Sequence, residues 1–147
     1  MISLYKLFLI AIFLNFQIKA QDIKIIKSFV LNEELREISG LVSLDGGLSY
    51  FAVNDGGNKN QVYHLDSTGA ILRRITVKNA SNTDWEELST DFMNYLYIAD
   101  TGDNKRQRQG LSIYRIGIAQ LIEEDSLDAE ITENRPIPQT KSKKRNR

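Results

Sequence analysis

The chain reads as an all-β protein made of antiparallel four-stranded meanders. Three observations predict this. Short stretches rich in β-branched and aromatic residues alternate with Gly-, Asp- and Asn-containing turns along most of its 147 residues. One pattern, a strand running into a tight polar turn, occurs twice: Tyr50-Phe51-Ala52-Val53-Asn54-Asp55-Gly56-Gly57-Asn58 and Leu96-Tyr97-Ile98-Ala99-Asp100-Thr101-Gly102-Asp103-Asn104. Asn104 lies 46 positions after Asn58, and Tyr114 lies 51 after Tyr63, the difference falling in a longer loop over residues 105–110. A period in the mid-forties with about four strands per unit fits β-propeller blades. The expected architecture is a partial β-propeller of about two blades plus an N-terminal strand, spanning residues 21–135.

The first twenty residues read as a cleavable signal peptide. Lys6 gives the positive start, residues 7–16 are an apolar run, and Ile18-Lys19-Ala20 ends on a small residue. The run is short for a membrane span, so no stable span is expected. The expected location is periplasmic or extracellular. The chain has no Cys, so an exported domain here gains nothing from disulfides, and packing or bound ions must stabilise it.

Residues 23–31 form the leading strand and residues 32–35 a polar connection. The next strand, 38–44, ends at Asp45-Gly46-Gly47, a hairpin signal because Gly accepts the positive φ of a tight turn. Strands over 48–53, 61–65 and 70–77 complete a four-stranded meander, with Asp66-Ser67-Thr68-Gly69 turning between the last two. After a polar link at 78–83 the pattern restarts. Asp84-Trp85-Glu86-Glu87-Leu88-Ser89 takes the place of Arg36-Glu37-Ile38-Ser39-Gly40-Leu41. Strands at 95–100 and 111–116 follow. Residues 118–124 make one or two helical turns, and 129–132 the fourth strand. Pro136 and Pro138 break regular structure, and 136–147 is a basic, disordered tail.

The chain holds 19 basic and 19 acidic residues. Seven of the basic ones, and none of the acidic, lie within the first twenty or last seven positions. The body between them is therefore acidic, which excludes a nucleic-acid-binding surface.

Tyr97-Ile98-Ala99-Asp100-Thr101-Gly102-Asp103-Asn104 resembles the core of NHL-type propeller repeats. Joined with Asp84-Trp85-Glu86-Glu87-Leu88 and Ile113-Tyr114-Arg115-Ile116, it is similar to a group of exported bacterial propeller proteins of the SdiA-regulated-like type, of largely unassigned function. Glu37-Ile38-Ser39-Gly40-Leu41 with Asn54-Asp55-Gly56-Gly57-Asn58 resembles that group's preceding blade, so the likeness covers about residues 37–116. Members of the group are about twice this length; two blades cannot close a ring, so either the chain is cut short or several chains complete the ring, and the alternative without a ring is a small β-sandwich.

Oxygen-bearing side chains stand on both turns: Asn54, Asp55 and Asn58, then Asp100, Asp103 and Asn104. Hard cations such as calcium need several such oxygens. The same residues also serve simply to cap turn amides. Glu37, Asp84, Glu86 and Glu87 sit at strand starts, where a propeller's central channel holds ligands, or they face water. Glu37, Asp55, Asp84, Glu86, Asp100 and Asp103 are the metal-ligand candidates, with calcium the candidate ion. Lys59, Lys105, Arg106 and Arg108 make the following loops basic, for an anionic ligand or for solvent. Trp85 packs between blades or forms a binding platform. A lone His64 cannot build a His-rich metal site, and Asn79-Ala80-Ser81 is a formal glycosylation sequon. No Gly-x-Ser-x-Gly elbow or phosphate-binding Gly-Lys-Ser/Thr loop occurs. The expected function is therefore a ligand- or protein-binding scaffold. The alternative is a calcium-dependent hydrolase of esters, lactones or phosphoesters.

Overall fold

The computed structural model describes residues 28–136, apart from the side chains of residues 133–135. The signal peptide read over 1–20 and the tail from 137 onward lie outside the described residues. So does most of the leading strand expected over 23–31. Its described part, residues 28–31, is irregular chain that leads into a 3-10 turn at Glu33–Leu35.

The protein is all-β in its main elements, built from two sheets. Sheet 1 contains β1 (Ile38–Val42), β2 (Ser49–Asn54), β3 (Gln61–Asp66) and β4 (Ile71–Val77), an antiparallel meander in chain order. Sheet 2 contains β5 (Trp85–Thr90), β6 (Tyr95–Asp100), β7 (Gly110–Gly117) and, after an excursion, β9 (Glu130–Pro136). The excursion holds a short helix, α1 (Ile118–Glu123), and a two-residue strand, β8 (Ser126–Leu127). β8 pairs with β4, in parallel, as a fifth strand of sheet 1. This crossing between units has no counterpart in the meander expected from the sequence. Pro136, expected as the first residue of the tail, instead ends β9 opposite Gly110. β9 is an edge strand, where a residue without an N–H is tolerated.

The turns are made as their residues dictate. At the β1–β2 tip Gly46 and Gly47 take φ of 72° and 95°, and the Asp45 carboxylate accepts from the Ser49 amide and hydroxyl. The β5–β6 tip uses Asp91 in the same way, accepting from the amides of Met93, Asn94 and Tyr95.

The two sheets are copies of one unit, with the register of the copy shifted by one residue from the sequence alignment. Ile38 pairs with Asn54 and Trp85 with Asp100; in both strands the pairing then skips a residue, to Gly40–Val53 and Glu87–Ala99. The two bulges align Trp85 with Ile38, Asp84 with Glu37 and Glu86 with Ser39, so the apolar and the first acidic positions match while Glu86 replaces a serine. Farther along the equivalence of Tyr63 and Tyr114 holds, since they pair with Ala52 and Ile98, themselves 46 positions apart.

Sheet 1 packs one face on sheet 2. Phe51, Val53, Val62, Ile75 and Val77 meet Leu88, Leu96, Ile98, Tyr114 and Ile116 in the main core. In the repeat these are not the same positions. The face sheet 1 uses corresponds to the outward face of sheet 2, and the face sheet 2 uses corresponds to the far face of sheet 1. The units therefore stack head to tail. The far face of sheet 1, with Ala52, Tyr63 and Leu65, is covered by Leu35 and Leu31 in a second, smaller cluster. Trp85 is fully buried between the sheets, with Nε1 donating to the Ser81 carbonyl, so it serves packing. The inner strands approach closely at Gly40. A Cβ there would lie 2.6 Å from the Leu88 nitrogen, so only Gly fits.

Candidate cation site between the two units

The link between the sheets folds back onto the turn after β2. The Asn82 side chain does this by donating to the carbonyls of Asn54 and Asp55, each at 3.0 Å, while its own oxygen accepts from the Trp85 amide. The result places Asp84, just before β5, against Asp55, just after β2. The bulge in β5 re-aims Glu86 toward the same place. One carboxylate oxygen from each of Asp55, Asp84 and Glu86 lies within 4.8 Å of the others.

Two glycines make room for this group. A Cβ on Gly56 would sit 2.7 Å from Asp84 Oδ1, and one on Gly102 would collide with the carboxylates of Asp84 and Glu86. These are the repeated glycines of the two turns, and any side chain at either position would displace the acids. Beside the acids opens a cleft of about 450 Å³, lined by Asp55, Thr83 and Asp84 on one wall and by Asp103, Lys105 and Arg108 on the other.

The electrostatics follow from crowding. Desolvation pushes the Asp84 carboxyl above its ordinary value; its hydrogen bond with Asp55 and that residue's charge add to the shift, and Arg108 opposes it. Glu86 is raised by desolvation and then by the charges of Asp55 and Asp84. Like charges this close favour a bound proton or a bound cation. Three carboxylates supply fewer oxygens than calcium's full shell of roughly six to eight, leaving room for water or for a ligand's oxygens.

Of the six predicted ligands, these three come together and three do other work. Glu37 accepts from Asn58 Nδ2 at 2.7 Å. Asp100 is buried; its Oδ1 accepts from the Asp84 amide at 2.8 Å and from Arg108 at 2.9 Å. Asp103 lines the cleft but caps its own loop, accepting from the amides of Gln107 and Arg108. The turn-capping reading holds for Asp103, and Asp55 caps too, its Oδ1 accepting from the Gly56 amide. Glu87, the fourth strand-start acid, accepts from the Leu88 amide.

Arg108 is not a solvated loop charge. Its guanidinium is largely covered and donates to the Asp100 carbonyl, the Asp100 carboxylate and the Gly102 carbonyl. It braces the turn that carries Gly102. Nothing in the sequence separates Arg108 from Arg106, its exposed neighbour. Asn82 was equally hidden among the polar residues of the link. His64 stacks on Phe51 at 4.6 Å, and burial lowers its pKa. Both ends of the Asn79 amide group are engaged by the backbone of Ala129, so the sequon residue is an internal clamp. Among the described residues, no helix is long and apolar enough to cross a membrane.

Neither a known protein family, nor a curated protein, nor a solved structure matches the chain.

Proposed function

We propose that this chain is an exported scaffold of the propeller type. It holds a divalent cation of the calcium class at Asp55, Asp84 and Glu86 and offers the adjoining cleft to a ligand or protein partner. The observation that carries this reading is the meeting of three carboxylates from two successive repeat units, two of which, Asp55 and Asp84, line one cleft. Each unit alone lacks the set. Asp55 belongs to the first, and Asp84 and Glu86 to the second. The head-to-tail stacking of like sheets supports the propeller reading, because it is the arrangement a ring of blades requires. The apolar run at the start of the chain, with Lys6 before it and Ala20 after it, supports export.

A second reading, a calcium-dependent hydrolase of esters, lactones or phosphoesters, is favoured by one feature. The Asp84 carboxyl, raised in pKa and grouped with the likewise raised Glu86, lines a cleft large enough for a small substrate. A bound cation there would polarise a substrate oxygen, and a carboxylate would take a proton from water.

Calcium titration tests the site. With three protein carboxylates the affinity belongs to the weak class, Kd about 10⁻⁴–10⁻³ M. Calcium at about 10 mM then stabilises the fold by roughly 1.4–2.7 kcal/mol. That raises the melting temperature by roughly 6–20 °C in a domain of this size. Asp55→Asn should abolish most of the rise. No shift in the parent protein at this concentration refutes the cation site. Hydrolysis of a chromogenic ester, lactone or phosphoester that depends on calcium and is lost in Asp84→Asn would select the second reading.

A further inference from the structure

Where β7 ends and α1 begins, a cavity of about 510 Å³ opens. It is lined by Tyr95 and Gly117, which pair across β6 and β7, and by Asn94, Gln120, Arg115 and Glu130. Gly117 is not demanded by its backbone. Its φ of −64° and ψ of 129° are extended values that any residue adopts. As the N-cap of α1 it supplies no side-chain bond, where Ser, Asp or Asn would. The three atoms nearest a Cβ there all belong to the Gln120 side chain, the closest being Oε1 at 3.3 Å, so no neighbouring strand presses on it. A glycine in a strand marks the close approach of another backbone or of a ligand, and here no backbone is close. In sheet 1 the counterpart of Gly117 is Asp66, which caps its own turn.

The charges around the cavity are already matched. Arg115 is bonded to Glu130 and lies 4.3 Å over the Tyr95 ring, and Lys78 reaches Asp128 at 3.3 Å. What is left over is neutral hydrogen-bonding capacity. The side-chain amides of Asn94 and Gln120 are exposed and bond to nothing among the described residues. Arg115 Nε is buried without a hydrogen-bond partner, an orphan donor that calls for an oxygen.

We propose that this cavity binds a neutral mono- or disaccharide. A sugar hydroxyl both donates and accepts, and so does a primary amide, so Asn94 and Gln120 can each take neighbouring hydroxyls. Arg115 adds the unspent donor, and Glu130 keeps spare acceptor lone pairs. An ionic ligand would have to compete with the Arg115–Glu130 pair for its counter-charge. An apolar one would strip water from the amides and give them nothing in return. The volume falls within the roughly 300–1,000 Å³ of small-molecule sites. The proposal does not rest on the cation site, since Asp55, Asp84 and Glu86 line no part of this cavity.

The test is an NMR titration of the isotope-labelled protein, run without calcium. It reads the side-chain amide signals of Asn94 and Gln120 and the Arg115 Nε–H. The probes are glucose, mannose, N-acetylglucosamine, maltose and lactose, each at about 10 mM, with adenosine and inorganic phosphate as comparisons. At least one sugar should shift these signals saturably, with Kd about 10⁻³ M or tighter. Gln120→Ala should weaken binding about three- to tenfold. Gly117→Val should remove it while leaving the fold intact, because the extended backbone suits a β-branched residue and the new side chain occupies the cavity. No shift with any of the sugars overturns the proposal. So do shifts confined to other residues, binding that survives Gly117→Val, or a response at these signals to adenosine or phosphate and to no sugar. Should Gly117→Val fail to fold, Gln120→Ala decides alone, and an unchanged affinity there overturns the proposal as well.

Discussion

Gly40 sets the distance between the two sheets, and Gly40→Ala should therefore weaken both fold and site. The added methyl would lie 2.6 Å from the Leu88 nitrogen, 2.9 Å from the Glu87 carbonyl carbon and 3.1 Å from Val53 Cγ2. The first two obstacles are backbone in the middle of β5 and cannot rotate away. The sheets must separate by about 0.8 Å to restore ordinary contact, and overpacking of this kind costs about 1–3 kcal/mol. The value here belongs at the upper end, because the retreat also opens the core where Leu88 packs between the sheets. In a domain of this size about 3 kcal/mol corresponds to a fall in melting temperature of roughly 12–24 °C. Urea unfolding followed by Trp85 fluorescence reads it, since that ring is fully buried between the sheets. Gly46→Ala is the control. It has nothing within 4 Å and only its φ of +72° to strain it, so it should cost about 1 kcal/mol. A Gly40→Ala change below about 0.5 kcal/mol would refute the close-approach account. The same variant should lose its calcium response, because Asp84 and Glu86 move with β5 while Asp55 stays with sheet 1.

Two further outcomes follow from the site's electrostatics. Arg108→Met strips the buried Asp100 of its cation, and removing one partner of such a pair costs about 3–5 kcal/mol, read as a lower urea midpoint. Adding Asp100→Asn to it should recover a large part of that loss. The second outcome concerns pH. Asp84 and Glu86 have folded pKa values above their ordinary 3.8 and 4.5, so between those values and the raised ones the folded protein holds more protons than the unfolded chain. Their contribution is most favourable at the acid end and is lost as pH rises through the raised values. Asp45, held down to about 2 chiefly by its bonds to Ser49, acts oppositely: its contribution is present above 3.8 and lost as pH falls toward 2. Without calcium, Asp55→Asn should therefore melt higher than the parent at neutral pH and show a flatter decline above pH 4.5. A parent and variant with superimposable pH profiles would contradict the crowding described here.

Much of the fold was legible because local chemistry decides it. Asp45-Gly46-Gly47 makes its tip through positive φ that only Gly accepts freely, and a reader of the sequence needs nothing else. Tyr63 and Tyr114 were matched correctly because strands have a strict period and both follow the same polar turn. The bulges in β1 and β5 were not legible. Both copies carry the bulge at the same place, so it leaves no mark on their alignment, and the one-residue slip at Trp85 is visible only once the strands are paired. β8 was hidden for a different reason. Two residues carry no periodicity, and their pairing with β4 is decided by where α1 delivers the chain. At the site, the acids were visible as acids, but their grouping was not. Which three converge depends on the Asn82 clamp and on a bulge, and both are tertiary facts. Arg108 looks like its neighbours in a charged loop until the buried carboxylate of Asp100 is placed beside it.

The small strand β8 has a consequence for how the molecule comes apart. Stacked repeats normally fray from an end, since each unit touches only its neighbours. Here the polypeptide of the second unit leaves its own sheet, contributes Ser126 and Leu127 to the first, and only then returns to finish at β9. Arg73 of β4 fastens the departure, donating to the carbonyls of Leu121, Ile122 and Glu124 and to the Asp125 carboxylate. The seam is thus sewn from both sides. Peeling β9 away pulls on β4 as well, and the two halves share one fate when the chain is unravelled.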